Sequence, residues 1–310
     1  MYLKLVLITC VLALCAVVFS AYARLSDAGL GCTDWPACYK ENALKQRQPP
    51  NVDATRDHTS WQWRLQNLVG SLLGILGIAI CGHSWQKRRE LRHSPLLPTL
   101  LVVLMAFLAL FGILAFSYLP RVVIVLVHLA GGIAMLMLLT WIALRLMAPG
   151  EASDSEARDL RVFSRVGLVL VMVEIMLGGW VSSNFAALAC TGFPLCQGTL
   201  LPAMDFTYSL DNAGLLLSGE RLTAIHWMHR AGALLTLCYL IWLSFRTMAV
   251  QKLRGIGKSM LGLVVFQFAL GACNVLLGFP LAGAVLHNAL AMILLVTLVA
   301  LNFRMQTRKK

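Results

Sequence analysis

The chain has 310 residues, of which 59% are hydrophobic and only 13% are charged. This apolar share is above that of ordinary soluble domains, and the charged share is well below it. The net charge of +12 is concentrated in short segments between long apolar ones, which argues against a nucleic-acid-binding protein and indicates a membrane protein with basic loops.

Long apolar segments predict eight membrane-spanning helices. Each segment can hold a helix of about 20 residues, and the last can hold two. The segments are 5–23, 65–82, 94–120, 122–144, 166–182, 222–244 and 259–303. Because a spanning backbone must satisfy its own hydrogen bonds, we predict an all-α polytopic protein surrounded by membrane lipid. The first segment is too long for a typical signal-peptide core, so we expect it to be retained.

Clusters of lysine and arginine predict the orientation of these spans. Such clusters follow the second span, precede the fifth, separate the sixth from the seventh, and end the chain. All of them then lie on one side of the membrane, which the positive-inside rule makes the cytoplasmic side. We therefore expect both termini to lie in the cytoplasm.

A repeated motif divides the chain into two halves. Leu-x-Cys-Thr-x-aromatic-Pro-x-Cys begins at Leu30, after the first span, and again at Leu188, after the fifth. Four spans per half is an even number, so both halves have the same orientation, as in a parallel repeat. The sequence predicts two tandem four-helix bundles, residues 1–146 and 162–310, joined by a cytoplasmic linker at 147–161.

Each copy of this motif carries a pair of cysteines. Both pairs lie on the predicted non-cytoplasmic side, where disulfides persist. A Cys-x5-Cys pair without a nearby histidine is poorly suited to zinc. We therefore expect the disulfides Cys32–Cys38 and Cys190–Cys196.

Three histidines occupy similar depths in the predicted spans. His128, His229 and His287 each lie about two turns after the outer end of an even-numbered helix. His229 and His287 could face each other across the second bundle, which suits axial ligation of a haem iron from both sides. Arg230 could then donate to a haem propionate. The alternative is a histidine at the membrane edge that is satisfied by a backbone carbonyl.

The first half departs from this pattern. When the two halves are aligned in sequence, Gln66 corresponds to His229 and Asn67 corresponds to Arg230. His58 lies about two turns before Gln66, at or above the membrane surface. His128 is thus left without an obvious second ligand.

Glu174 is the only carboxylate inside a predicted span. We expect it to hydrogen-bond to Gln267 or to be kept protonated by desolvation. It is a candidate proton relay or catalytic acid, and the alternative is a neutral polar residue that links two helices.

These motifs together resemble the haem A synthase family. The resemblance covers nearly the whole chain and is carried by residues 24–38, 128–132, 178–196, 225–230 and 274–288. It implies haem b bound through His229 and His287, and a haem O substrate near His128. It also implies oxidation of a ring methyl to a formyl group with oxygen from water, and disulfides in the outer loops. A haem O synthase and cytochrome oxidase assembly factors are the implied partners.

The second span differs from the family pattern. That pattern is Glu-x-x-His-Arg, whereas here Trp63 replaces the carboxylate, Gln66 the histidine and Asn67 the arginine. The leading hypothesis is a haem A synthase-type oxidoreductase. The alternative is a non-catalytic relative that acts in haem transfer or oxidase assembly, and a third is a quinone-linked electron carrier. The sequence leaves open whether the chain forms a homo-oligomer.

Overall fold

The structure, a computed structural model, describes residues 2–27, 61–89, 94–115, 119, 121–147, 155–207 and 218–305. Within these ranges the chain is all-α, with eight α-helices, two short 3-10 turns and no named strand, which confirms the predicted fold class. The helices are α1 (Tyr2–Asp27), α2 (Trp61–Gln86), α3 (Leu96–Ala115), α4 (Arg121–Met147), α5 (Ser155–Ser183), α6 (Gly219–Ala249), α7 (Arg254–Leu276) and α8 (Leu281–Arg304).

Seven of the helices in the described ranges are long and apolar enough to cross a membrane. Their candidate spans contain 19 to 31 residues, so the shortest is about 28 Å long, close to the thickness of a bilayer's hydrocarbon core. Helix α5 is not one of the seven. Its first three turns carry several charged residues, and Glu174 lies in its second half. The chain is therefore an integral membrane protein, and a span formed by α5 stays a prediction.

Helix α3 shows how the outer surface suits lipid. Its large apolar side chains point away from the protein, and Ile113 is 74% exposed. In water such a surface would favour aggregation, whereas lipid tails are as apolar as these side chains. The other outward-facing side chains of this helix are Leu100, Val103, Phe107 and Leu110.

The eight helices pack as two rings of four. Helix α1 contacts α2 and α4, and α3 contacts the same two helices. Helices α5 to α8 repeat the arrangement, since α5 and α7 each contact both α6 and α8. Helices α6 and α8 therefore lie on a diagonal of the second ring. The two rings meet where α1 and α4 pack against α8 and where α4 packs against α5.

Leucine side chains fill the centre of the protein. Because lipid is itself apolar, close packing and dispersion rather than exclusion of water stabilise these contacts. The fully buried leucines of the cluster are Leu136, Leu139, Leu240, Leu243, Leu295 and Leu298.

The two ends of the second ring differ in character. At one end, which we call the basic end, Lys252 and Arg254 are exposed in the turn between α6 and α7. At the other, the disulfide end, α5 ends and α6 begins around the Cys190–Cys196 loop. Ser218 caps α6 there by accepting a hydrogen bond from the backbone N–H of Arg221 at 3.3 Å. The three membrane histidines all lie toward the N-terminal ends of their helices.

Candidate functional site

Each of the three membrane histidines lies against a glycine of the preceding helix. A β-carbon at Gly112 would lie 3.2 Å from Nε2 of His128. One at Gly178 would lie 3.2 Å from Cε1 of His229, and one at Gly271 would lie 3.0 Å from Cε1 of His287. Real β-carbons rarely approach so closely, so any larger residue would displace the ring. The glycines therefore provide the space in which the three imidazoles lie.

The glycine and histidine positions repeat between the halves. Gly112 and His128 are sixteen residues apart, as are Gly271 and His287. In both halves the pair joins the third helix of the ring to the fourth. This common spacing can be read from the sequence, but neither glycine is distinctive enough by itself to indicate a contact with a histidine.

His229 is paired with Glu174. Its Nδ1 atom lies 2.7 Å from Oε1 of the carboxylate, although the contact is not aligned as a hydrogen bond. Both side chains are largely buried, at 21% and 16% exposure. The contact brings an acidic oxygen against the ring nitrogen that would remain free if Nε2 bound a metal.

His287 is paired with Gln267. The two Nε2 atoms are 3.2 Å apart, an arrangement in which the amide donates to the ring nitrogen. The expected hydrogen bond between Glu174 and Gln267 is therefore wrong, because α5 and α7 lie at opposite corners of the second ring and each side chain contacts a histidine of a neighbouring helix instead. The Oε1 atom of Gln267 is buried and has no hydrogen-bond donor among the described residues.

His229 and His287 belong to the diagonal helices α6 and α8. No three side chains of the His, Cys, Asp and Glu types converge in the described part of the chain. Two imidazoles on diagonal helices, without a third ligand, suit the two axial positions of a haem iron better than a four-ligand zinc site.

His226, one turn before His229, is the most deeply buried of the described membrane histidines, at 3% exposure. Its ring meets that of Phe279 edge to face, with centroids 5.8 Å apart. Its Nε2 accepts a hydrogen bond from Nε of Arg230 at 3.3 Å. His226 was absent from the predicted site residues, and these neighbours give it a structural role between α6 and the turn before α8.

Arg230 holds the disulfide loop. Its guanidinium donates to the backbone carbonyls of Cys190, Gly192 and Leu195, the last two at 2.9 and 3.3 Å. Its Nε atom donates to His226, so every nitrogen of the fork has a protein partner. The predicted contact of Arg230 with a haem propionate stays a prediction, since it would require exchange of one of these bonds.

The Cys190–Cys196 disulfide is present, with an S–S distance of 2.05 Å, which confirms that prediction. Cys32 and Cys38 lie outside the described residues, so their pairing stays a prediction. The Phe193 ring, between Cys190 and Cys196, contacts Phe268 of α7 at a centroid distance of 6.2 Å. The loop therefore spans from α6 to α7.

Two further side chains of α6 support the loop region from the same face as Arg230. Nε1 of Trp227 donates to the carbonyl of Leu200 at 2.9 Å. The Thr223 hydroxyl accepts from the amide of Gln197 at 3.1 Å. With Arg230, these residues recur every three or four positions, which is the spacing of one helix face. The opposite side of α6 is thereby free to present His229 to α5.

An ion pair links the segment before α6 to the first turn of that helix. Asp205 lies 2.7 Å from Nε of Arg221 and accepts two hydrogen bonds from Thr207. The Thr207 hydroxyl and then the Arg221 guanidinium lower the pKa of the Asp205 carboxyl from 3.8 to about 2. This residue outside the spans therefore stays ionised throughout the physiological pH range.

The first half presents His128 differently. Nδ1 of His128 lies 2.9 Å from the carbonyl of Ile124, so the ring donates there and keeps its Nε2 lone pair. Phe111 packs beside the ring at 5.9 Å. The side chains at the aligned positions of α2, Trp63 and Gln66, are exposed on the helix surface. His58 lies outside the described residues.

Comparisons with known proteins point to one family over nearly the whole chain. The sequence profile described as cytochrome oxidase assembly protein matches residues 3–299. The haem A synthase of Shewanella oneidensis is 33% identical, over 96% of this chain and 94% of its own length. Those of Rhodospirillum centenum and Halalkalibacterium halodurans are 27% and 26% identical, over 89% and 90% of this chain and 81% and 88% of their own lengths. The chain therefore belongs to the haem A synthase family of cytochrome oxidase assembly proteins.

Proposed function

We propose that this protein is a haem A synthase, which oxidises a ring methyl of haem O to a formyl group for cytochrome oxidase biogenesis. The balanced change converts methyl and water into formyl, four protons and four electrons, so water is the oxygen source. The similarity to proteins named haem A synthase supports this assignment and does not support the non-catalytic alternative. A haem O synthase would supply the substrate.

The observation that carries the proposal is a pair of imidazoles on diagonal helices, each of which packs against a glycine of the preceding helix. His229 and His287 are the residues that would hold a haem b, one from each side of the second ring. Bound there, haem b supplies one-electron redox chemistry. Binding through Nε2 of His287 would displace the Gln267 amide, which is a single hydrogen bond. The Cys190–Cys196 loop above α6 and α7 would limit the access of water.

The first ring is the proposed substrate side. The hydrogen bond from Nδ1 of His128 to Ile124 fixes the tautomer in which Nε2 can meet the iron of haem O. Trp63 and Gln66 replace the carboxylate and histidine of the family pattern on α2, so proton removal there must use another base or water. Glu174 contacts His229 in the second ring, and we assign it no part in proton removal from the substrate.

Haem extraction tests the reaction. The protein is expressed in cells that make haem O but lack any other haem A synthase, and the extracted haems are separated by chromatography. Formation of haem A, lost in the His128→Ala variant, is the expected result. Haem b alone, at about one per chain, would refute the enzymatic proposal and favour a haem-binding relative.

The ligand assignment has its own experiment. Purified His229→Ala and His287→Ala variants should each lose the low-spin haem spectrum, because a bis-histidine iron needs both axial nitrogens. His83→Ala is the matched control, since His83 lies near the opposite end of the protein, stacked on Tyr2. A low-spin spectrum that survives in either ligand variant would show that the assignment is wrong.

We further infer eight spans in a tandem parallel repeat, in a bacterial inner membrane with both termini in the cytoplasm. The matching order of helix contacts in the two rings and the repeated glycine–histidine spacing support this topology. Lys87, Arg88 and Arg89, exposed after α2, support the orientation. Single cysteines introduced beside these residues should resist a membrane-impermeant maleimide in intact spheroplasts. Labelling there would overturn the orientation.

A further inference from the structure

We propose that Glu174 is a positioning residue for His229, which orients the imidazole and raises its electron donation to a bound haem iron. The inference rests on the proposed haem b ligation. The Oε1 atom of Glu174 lies 2.7 Å from Nδ1 of His229. When the non-ligating N–H of a bound histidine donates to a carboxylate, its other nitrogen is directed at the metal and becomes more basic. The 2.7 Å separation is within hydrogen-bond length, and the proposal has Nδ1–H turned onto Oε1 when haem is bound. Glu174 would thus act on a ligand of the iron without binding the iron itself.

The two helices make room for this pair reciprocally. On α5, Gly178 lies one turn after Glu174 and gives space to the His229 ring. On α6, Gly232 lies about one turn after His229 and gives space to the carboxylate, because a β-carbon there would collide with Oε2. A simple polar contact between helices needs no such clearance on both sides. The matched glycines indicate a site built around the carboxylate–imidazole pair.

The two proposed ligands have different neighbours. His287 is contacted by a neutral amide, Gln267, through Nε2, the nitrogen that haem ligation would use. His229 is contacted by an acidic side chain through Nδ1, which leaves Nε2 available. Glu174 comes four residues before Gly178, the glycine that contacts the His229 ring. Gln267 likewise comes four residues before Gly271, which contacts the His287 ring, so the two side chains occupy equivalent positions on their helices. An acidic side chain therefore lies against only one of the two proposed ligands.

The reduction potential of the bound haem tests the proposal. Negative charge and a more basic ligand stabilise the ferric state, so Glu174→Gln should raise the midpoint potential. We expect the ratio of ferrous to ferric haem at a fixed potential to rise at least tenfold, which is about 59 mV for one electron. Haem content and the low-spin spectrum should be retained, because glutamine keeps the shape of the side chain. Potentiometry follows the haem itself and does not depend on haem A formation.

Three variants complete the design. Glu220→Gln removes a carboxylate from an exposed position on α6 and should leave the potential unchanged. Gly232→Ala should shift the potential in the same direction as Glu174→Gln, since the added methyl displaces the carboxylate. Glu174→Asp keeps the charge and should restore the potential toward that of the parent protein.

The outcomes separate this inference from the proposed function. A potential that is the same in Glu174→Gln and the parent would overturn the positioning role, even if haem ligation stands. Loss of the helical fold in both Glu174 variants would also overturn it, because we assign the carboxylate no part in holding the fold. Retention of the low-spin spectrum in His229→Ala would instead refute the ligation on which the inference rests.

Discussion

Gly271, the glycine that contacts the His287 ring, offers the sharpest test of how the fold positions a proposed ligand. In Gly271→Ala the new β-carbon would lie 3.0 Å from Cε1 of the ring. Ordinary carbon contacts are about 3.5–4.0 Å, so the imidazole must retreat by roughly 0.5–1 Å. A ligand site tolerates about 0.5 Å of displacement. We therefore expect haem affinity to fall by roughly 10–100-fold, the usual loss when the support of a ligand is removed.

Gly262→Ala on the same helix is the matched control. No atom lies within 4 Å of a β-carbon at Gly262. Both variants gain the same preference for helix, about 0.8–1 kcal/mol over glycine in a helix interior. Any difference between them therefore reports the contact with His287. Haem per protein is measured by haemochrome spectra after titration with haem, and melting temperatures are compared without haem. Equal haem affinity in the two variants would refute the reasoning.

Two further predictions concern the disulfide end. Arg230→Lys loses the guanidinium fork that donates to several loop carbonyls. Reduction of the Cys190–Cys196 disulfide by a hydrophilic phosphine should therefore become at least about tenfold faster, which is about the effect of one charge-assisted hydrogen bond. An unchanged rate would contradict the role of Arg230 as the anchor of the loop. Because the pKa of Asp205 is lowered to about 2, its contacts should persist above pH 3.8 and weaken only as the pH falls toward 2. The Thr207 amide, which donates to Asp205, should therefore remain protected from hydrogen exchange at pH 4.5, and loss of protection already at that pH would contradict the prediction.

Much of the architecture followed from the sequence. Hydrophobic length predicted the all-α membrane protein, and seven candidate spans in the described residues confirm it at that level. Helix α5 is the instructive exception, because charged first turns and Glu174 interrupt an otherwise apolar helix. The repeated Cys-x5-Cys motif predicted the Cys190–Cys196 disulfide correctly, because the pair lies on the predicted non-cytoplasmic side, where disulfides persist, and is poorly suited to zinc.

The partners of the polar side chains could not be predicted in the same way. The sequence led us to expect that Glu174 hydrogen-bonds to Gln267 or is kept protonated, whereas Glu174 and Gln267 each contact a histidine. A helix turns by about 100° per residue, so a small rotation of α5 decides which neighbour a buried side chain faces. Arg230 shows the same limit, because its nearest acceptors are carbonyls of a loop more than thirty residues earlier in the chain.

The sequence by itself therefore determined that the chain is an all-α membrane protein, and it singled out the histidines inside the apolar segments. These properties depend on residue type and on spacing along one helix. Only the tertiary structure decided that the rings of His229 and His287 pack against Gly178 and Gly271, and that Glu174 lies against one of these rings. The reason is physical: a glycine contributes space rather than a contact, and the space acquires meaning only when a second helix is packed against it at a particular rotation.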